Sequence, residues 1–137
     1  NSLSKEMIVV GPMVVKSMCA HHLLPIYGSC WMGIILPPNS VLPGLSKYAR
    51  IVDFFARRPQ TQEQLTKQIH DYWLKLFNLS DNDARGGIQV VVRAKHACMS
   101  HRGVNETNSN MTTSALSGVF LNPAVRQEFF ALANING

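Results

Sequence analysis

Ile88-Gln89-Val90-Val91-Val92-Arg93-Ala94 is the stretch on which the fold turns. It follows a turn-forming region at 78–87 and is rich in β-branched residues, so it reads as a strand. That strand delivers His96 and Cys98 at its end. Far upstream, Ser17-Met18-Cys19-Ala20-His21-His22 supplies a second group of thiol and imidazole side chains. The chain therefore pairs two segments in which each cysteine lies within three positions of a histidine.

Working outward, a polar loop at 105–113 leads to a short strand expected at 116–121, and Pro123 opens a last helix running through Phe129, Phe130 and Leu132. On the upstream side, Leu65, Ile69, Tyr72, Trp73 and Leu76 recur at three- and four-residue spacing, which predicts a long amphipathic helix over 60–77. An earlier helix carries Ile51, Val52, Phe54 and Phe55, with Ser46 as its N-cap and Pro59 at its end. Residues 7–18 read as a strand bent or bulged at Gly11-Pro12, and 27–36 as a strand stopping at Pro37-Pro38. Cys30, inside the second of these, reads as a small core residue rather than a metal ligand. Two strands, two helices, two strands and a helix make an α+β protein with antiparallel neighbours.

A chain of 137 residues suits one domain. Its 46% hydrophobic and 15% charged content excludes a disordered chain, which needs fewer apolar groups and more charge. Three cysteines are too few for a secreted disulfide scaffold and suit a reducing, cytoplasmic setting. No apolar run reaches the roughly 18 to 20 residues that span a bilayer, and no signal peptide is legible, so no membrane partner is expected. The net charge of +5 is spread over small groups, Lys47 with Arg50, Arg57 with Arg58, and Arg102. That distribution fits a compact anionic ligand better than nucleic acid.

Cys19, His22 and Cys98 give three ligands, the number a catalytic zinc site uses while leaving a position for water. Three residues separate Cys19 from His22, so one turn of chain aims both at a single ion. His21 and His96 remain as proton carriers, because imidazole titrates near neutrality. The plainer alternative stays open at this point, since cysteine is also a common buried apolar residue and histidines often serve the surface or the core.

Four motifs occur in order: Cys-x-His-His-Leu-x-Pro from Cys19, Gly-Leu-Ser-Lys-x-Ala-Arg-Ile-Val from Gly44, Arg-Arg-Pro-Gln-x-Gln-Glu-x-Leu-Thr from Arg57, and His-x-Cys-Met-x-x-Arg-Gly-Val from His96. Together they resemble type I GTP cyclohydrolase, over about residues 16–130. The resemblance implies the tunnelling fold, an antiparallel β-sheet with helices packed on one side whose copies close into an oligomeric β-barrel. It implies a homo-oligomer, pentamer or decamer, with active sites between subunits. It also implies Zn2+ on Cys19, His22 and Cys98, with GTP and water as substrates. Water adds to C8 of the guanine ring, that carbon leaves as formate, and the ribose rearranges to give 7,8-dihydroneopterin triphosphate, the first step of pterin, folate or deazaguanine synthesis. His21 and His96 carry protons and Ser46 assists sugar opening.

By the same resemblance Glu63 accepts from the guanine ring N–H and exocyclic amine with Gln62 in support, and Lys47, Arg50 and Arg102 hold the triphosphate. Phosphate also gains N–H donors from the helix opened by Ser46. Glu63 has a plainer alternative as a helix-surface carboxylate facing Lys67, worth about 0.3 to 0.5 kcal/mol. Arg57 and Arg58 equally suit a solvated helix end. Ala20 stands where the family usually has glutamate. Only 18 residues precede Cys19, so residues 1–137 are expected to form a single catalytic domain without the family's usual N-terminal helical extension.

Overall fold

The structure is a computed structural model, and it describes residues 6–20, 23–96 and 110–135. Its first strand, β1 (Ile8–Cys19), runs antiparallel to β2 (Pro25–Ile35), and the register slips between Val10 and Met13. Gly11 sits in that bulge with φ 140°, a conformation that L side chains rarely adopt. The slip changes which residues face the main core. Ile8 and Val10 point into it before the bulge, and Met13, Val15 and Cys19 after it. Cys19 is thereby turned toward the helices that follow.

Those helices are α1 (Leu45–Ala56) and α2 (Gln62–Leu76), joined through a two-residue strand β3 (Pro59–Gln60). β4 (Gly87–His96) and β5 (Met111–Leu116) complete a five-stranded sheet of order β3-β1-β2-β4-β5. The four longer strands are antiparallel, and β3 lies parallel to β1 at Met18 and Cys19. Val52, Leu65, Ile69 and Trp73 pack on the face formed by Val15, Ile26, Cys30, Met32, Val90 and Val92. Each such side chain removed from water contributes about 1.5 to 3 kcal/mol. Cys30 is fully buried there and burial pushes its thiol up to about 12, which makes it a core residue as the sequence implies.

The α+β class is as expected, with four differences of detail. Helices cover both faces of the sheet: α3 (Pro123–Ala133) packs on the opposite side, over Ile35, Val91 and Phe120. Gly33 permits this, because a Cβ there would lie 2.6 Å from the Phe129 ring. The strand expected at 116–121 instead occupies Met111–Leu116, and the chain leaves the sheet at Ser117 into a short 3-10 turn, Gly118–Leu121, with Gly118 at φ 62°. Ser46 is not the cap of α1. Gly44 is, and its carbonyl accepts from Lys47 N–H at 3.1 Å. α2 starts two residues later than periodicity suggests because Gln60 is committed to β3, and Thr61 and Gln64 then form a reciprocal capping box. Among the described residues no helix is long and apolar enough to cross a membrane.

Candidate active site

Strand register brings the two cysteine–histidine segments to one end of the sheet. Ser17 pairs with Ile26, and Ile26 with His96, so Ser17 and His96 stand two strand spacings apart, roughly 9 to 10 Å. Cys19 lies two residues beyond Ser17 on the face covered by α1 and α2 and pairs with Gln60 of β3. Gln62 and Glu63 open α2 immediately after Gln60. His21, His22, Cys98 and Arg102 lie outside the described residues.

Cys19 is buried with a free thiol. Its N–H donates to Leu24 O and its carbonyl accepts from Leu23 N–H, both at 2.8 Å, while Ala20 N–H donates to Gln60 O at 3.2 Å. Gln60 in turn donates through Nε2 to Arg58 O at 3.0 Å and to Phe55 O, tying the end of α1 to the cysteine. Ser17, two residues before Cys19, and Gln60, paired with it across the sheet, have side-chain oxygens that are buried with no hydrogen-bond partner among the described residues. A buried thiol flanked by two unsatisfied oxygens fits the approach of a further polar group or metal ligand shell. Among the described residues no three metal-binding side chains cluster, two of the three expected ligands being outside that set.

His96 is buried, with Nε2 2.7 Å from Gln62 Oε1. Burial pushes its imidazole below the ordinary value, opposed by the nearby Glu63 carboxylate. Gln62, expected beside substrate, is only 1% exposed and its amide is turned into the protein. Its Nε2 donates to Val92 O at 3.1 Å, Met111 O at 2.9 Å and Thr113 Oγ1 at 3.1 Å. Glu63 is exposed and makes no hydrogen bond or ion pair among the described residues. Lys67 pairs with Asp71 at 2.8 Å, so the alternative Glu63–Lys67 pair does not form. Glu63 instead stands on the wall of a groove of about 400 Å³ between α2 and β5, lined also by Thr66, His70, Thr113 and Leu116. That size lies within the roughly 300 to 1,000 Å³ of small-molecule sites.

Ser46, Lys47 and Arg50 are exposed on α1, and no ion pair engages the two cations among the described residues. No described hydrogen bond ties them to Cys19 or His96. His70 is a participant that the sequence reading passed over. It is buried, with Nδ1 2.9 Å from Asp71 Oδ1 and Nε2 2.9 Å from Ser117 Oγ. The signal lay in spacing: Gln62, Thr66 and His70 repeat every four residues and form a buried polar seam against β5 and Ser117.

A family model for GTP cyclohydrolase I matches residues 1–134. The chain belongs to the GTP cyclohydrolase I family. The GTP cyclohydrolase 1 of Campylobacter jejuni subsp. doylei is 45% identical over 134 residues, covering 97% of this chain and 66% of that protein. The GTP cyclohydrolase 1 of Methylococcus capsulatus is 47% identical over 130 residues, 94% of this chain and 66% of the relative. That of Chlorobium chlorochromatii is 45% identical over 128 residues, 93% of this chain and 54% of the relative. The chain thus spans about two thirds or less of the length of these curated relatives. Its sheet and helices are consistent with the tunnelling fold of the GTP cyclohydrolase I family.

Proposed function

We propose that the chain carries out the GTP cyclohydrolase reaction with zinc, converting GTP and water to 7,8-dihydroneopterin triphosphate and formate. The observation that carries the reading is the convergence of Cys19, His96 and the Gln62–Glu63 pair at one end of the face covered by α1 and α2. Cys19, His22 and Cys98 would hold the zinc, and the buried Cys19 thiol beside two unsatisfied oxygens fits that use. When bound, the ion supplies a Lewis acid that acidifies water.

The chain's own residues do the rest. Glu63, on the wall of its groove and unpaired among the described residues, accepts from guanine N1–H and the exocyclic amine, a pattern adenine lacks because its N1 is an acceptor. His96, with His21, moves protons to and from the opening purine, and burial of His96 keeps bulk water from competing. Lys47 and Arg50, exposed and unpaired among the described residues, bind triphosphate together with Arg102, and Ser46 assists ribose opening. Both edges of the sheet are open among the described residues, since β5 pairs only with β4 and the outer side of β1 only with β3 at Met18 and Cys19. Open edges support closure into a homo-oligomeric barrel, pentamer or decamer, with sites between subunits. The free Cys19 and Cys30 thiols suit a reducing cytoplasm, and the product suits pterin, folate or deazaguanine synthesis.

The test is zinc content followed by incubation with GTP, reading formate and the fluorescent pterin formed on oxidation, against a chelated control. Zinc-dependent appearance of both products is expected. Bound zinc with GTP unchanged overturns the reading.

A further inference from the structure

We infer that Gln62 is a positioning residue that fixes the ring hydrogen of His96 on Nε2, leaving the ring's lone pair on Nδ1. The use made of that lone pair rests on the cyclohydrolase reading, whereas the tautomer follows from hydrogen-bond direction alone.

An amide's two ends are told apart by their partners. One end of the Gln62 amide lies 3.1 Å from Val92 O and 2.9 Å from Met111 O, two backbone carbonyls that can only accept. That end must be the NH2 group. A flipped amide would set its oxygen against both carbonyls and leave three acceptors facing one another.

The neighbouring hydroxyls agree. Thr66 Oγ1 donates to Gln62 O at 2.9 Å, so its single proton is spent there. In the 2.7 Å contact between the two threonines, Thr113 must then donate to Thr66 Oγ1. Thr113 Oγ1 is left to accept from Gln62 Nε2 at 3.1 Å, closing a ring in which every donor meets an acceptor. The amide bridges β4 and β5 and cannot turn without breaking that ring.

Oε1 therefore faces His96, and a carbonyl oxygen 2.7 Å from Nε2 requires a hydrogen on that nitrogen. A neutral ring protonated at Nδ1 would oppose two lone pairs at the same distance. Nδ1 has no partner among the described residues.

The test is a long-range proton–nitrogen correlation spectrum of the full chain labelled with 15N-histidine, with His96 assigned by the signals that vanish in His96→Ala. A pyrrole-type shift at Nε2 and a pyridine-type shift at Nδ1 are expected. In Gln62→Met, which cannot accept from the ring, the two tautomers mix and kcat falls about tenfold or more while KM for GTP changes little. A merely structural or purine-contacting Gln62 would leave the ring signature alone or move KM instead. Should Gln62→Met not fold, the wild-type spectrum still decides, and a pyridine-type Nε2 overturns the inference. Formate release with that spectrum sinks the tautomer alone, and the expected spectrum without formate release sinks the cyclohydrolase reading alone.

Discussion

Two buried histidines flank the seam between α2 and β5, and they are held differently. His70 has both ring nitrogens engaged: Nδ1 lies 2.9 Å from the Asp71 carboxylate and Nε2 lies 2.9 Å from Ser117 Oγ. Among the described residues His96 has one, its Nε2–H on Gln62. A saturated histidine joins α2 to the start of the 3-10 turn and has no nitrogen left for chemistry. A half-satisfied one, fixed in orientation and beside the Cys19 end of the sheet, keeps a lone pair for a reacting group. Burial alone therefore does not separate structural from catalytic histidines; the count of engaged nitrogens does.

The largest effect that bears on this contrast lies at the metal end. Cys19→Ser should lose zinc and turnover together, by about a hundredfold or more, and Cys98→Ser should do the same, checked by zinc content and formate release on one sample. Retained zinc in either variant would detach the His96 end of the sheet from metal chemistry. Next comes Glu63→Gln, which replaces one acceptor oxygen by a donor. It should lower kcat/KM for GTP about 10- to 100-fold, the equivalent of about 1 to 3 kcal/mol, with the melting temperature unmoved because Glu63 is exposed and unpaired among the described residues. Ser117→Ala tests the other histidine. It removes the hydroxyl partner of His70 and should cost about 1 to 2 kcal/mol in denaturant unfolding, leaving the His96 nitrogen shifts as they are. If it abolished turnover as Cys19→Ser does, the division of labour between the histidines would fail.

The smallest effect is in acid. Burial pushes the Asp71 carboxyl up, but hydrogen bonds from Lys67 and His70 and their charges outweigh it, so its net shift is downward. A carboxylate held below its unfolded value binds fewer protons when folded. Its stabilisation is thus present above the unfolded value near pH 4 and disappears as pH falls through the lower folded value. Asp71→Asn should flatten the acid limb of the stability curve, modestly because the group is half exposed. An unchanged acid limb would show that the His70–Asp71 contact adds nothing to stability.

Much of this was legible in the residues. Alternation and β-branching marked β1, β2 and β4, and the three- and four-residue spacing of Leu65, Ile69 and Trp73 marked α2. Placing His96 at a strand end was correct because the run from Ile88 is continuous. β5 was set too late in the chain, since Met111-Thr112-Thr113-Ser114 is a polar edge strand whose pattern is that of a loop. β3 is two residues long and carries no periodicity of its own. Gln62 is set beside substrate by the family resemblance, not by any local pattern. Its burial comes from partners 30 and 49 residues away, which no local window contains. The bulge at Gly11 was foreseen, but its consequence, the turning of Cys19 to the helix side, depends on counting register across two strands.

The most direct test of the account is His96→Ala, with zinc content, melting temperature and formate release measured on the same preparation. The account predicts retained zinc and fold with formate release lowered about 100- to 10,000-fold. Formate released at the wild-type rate from that variant would contradict it.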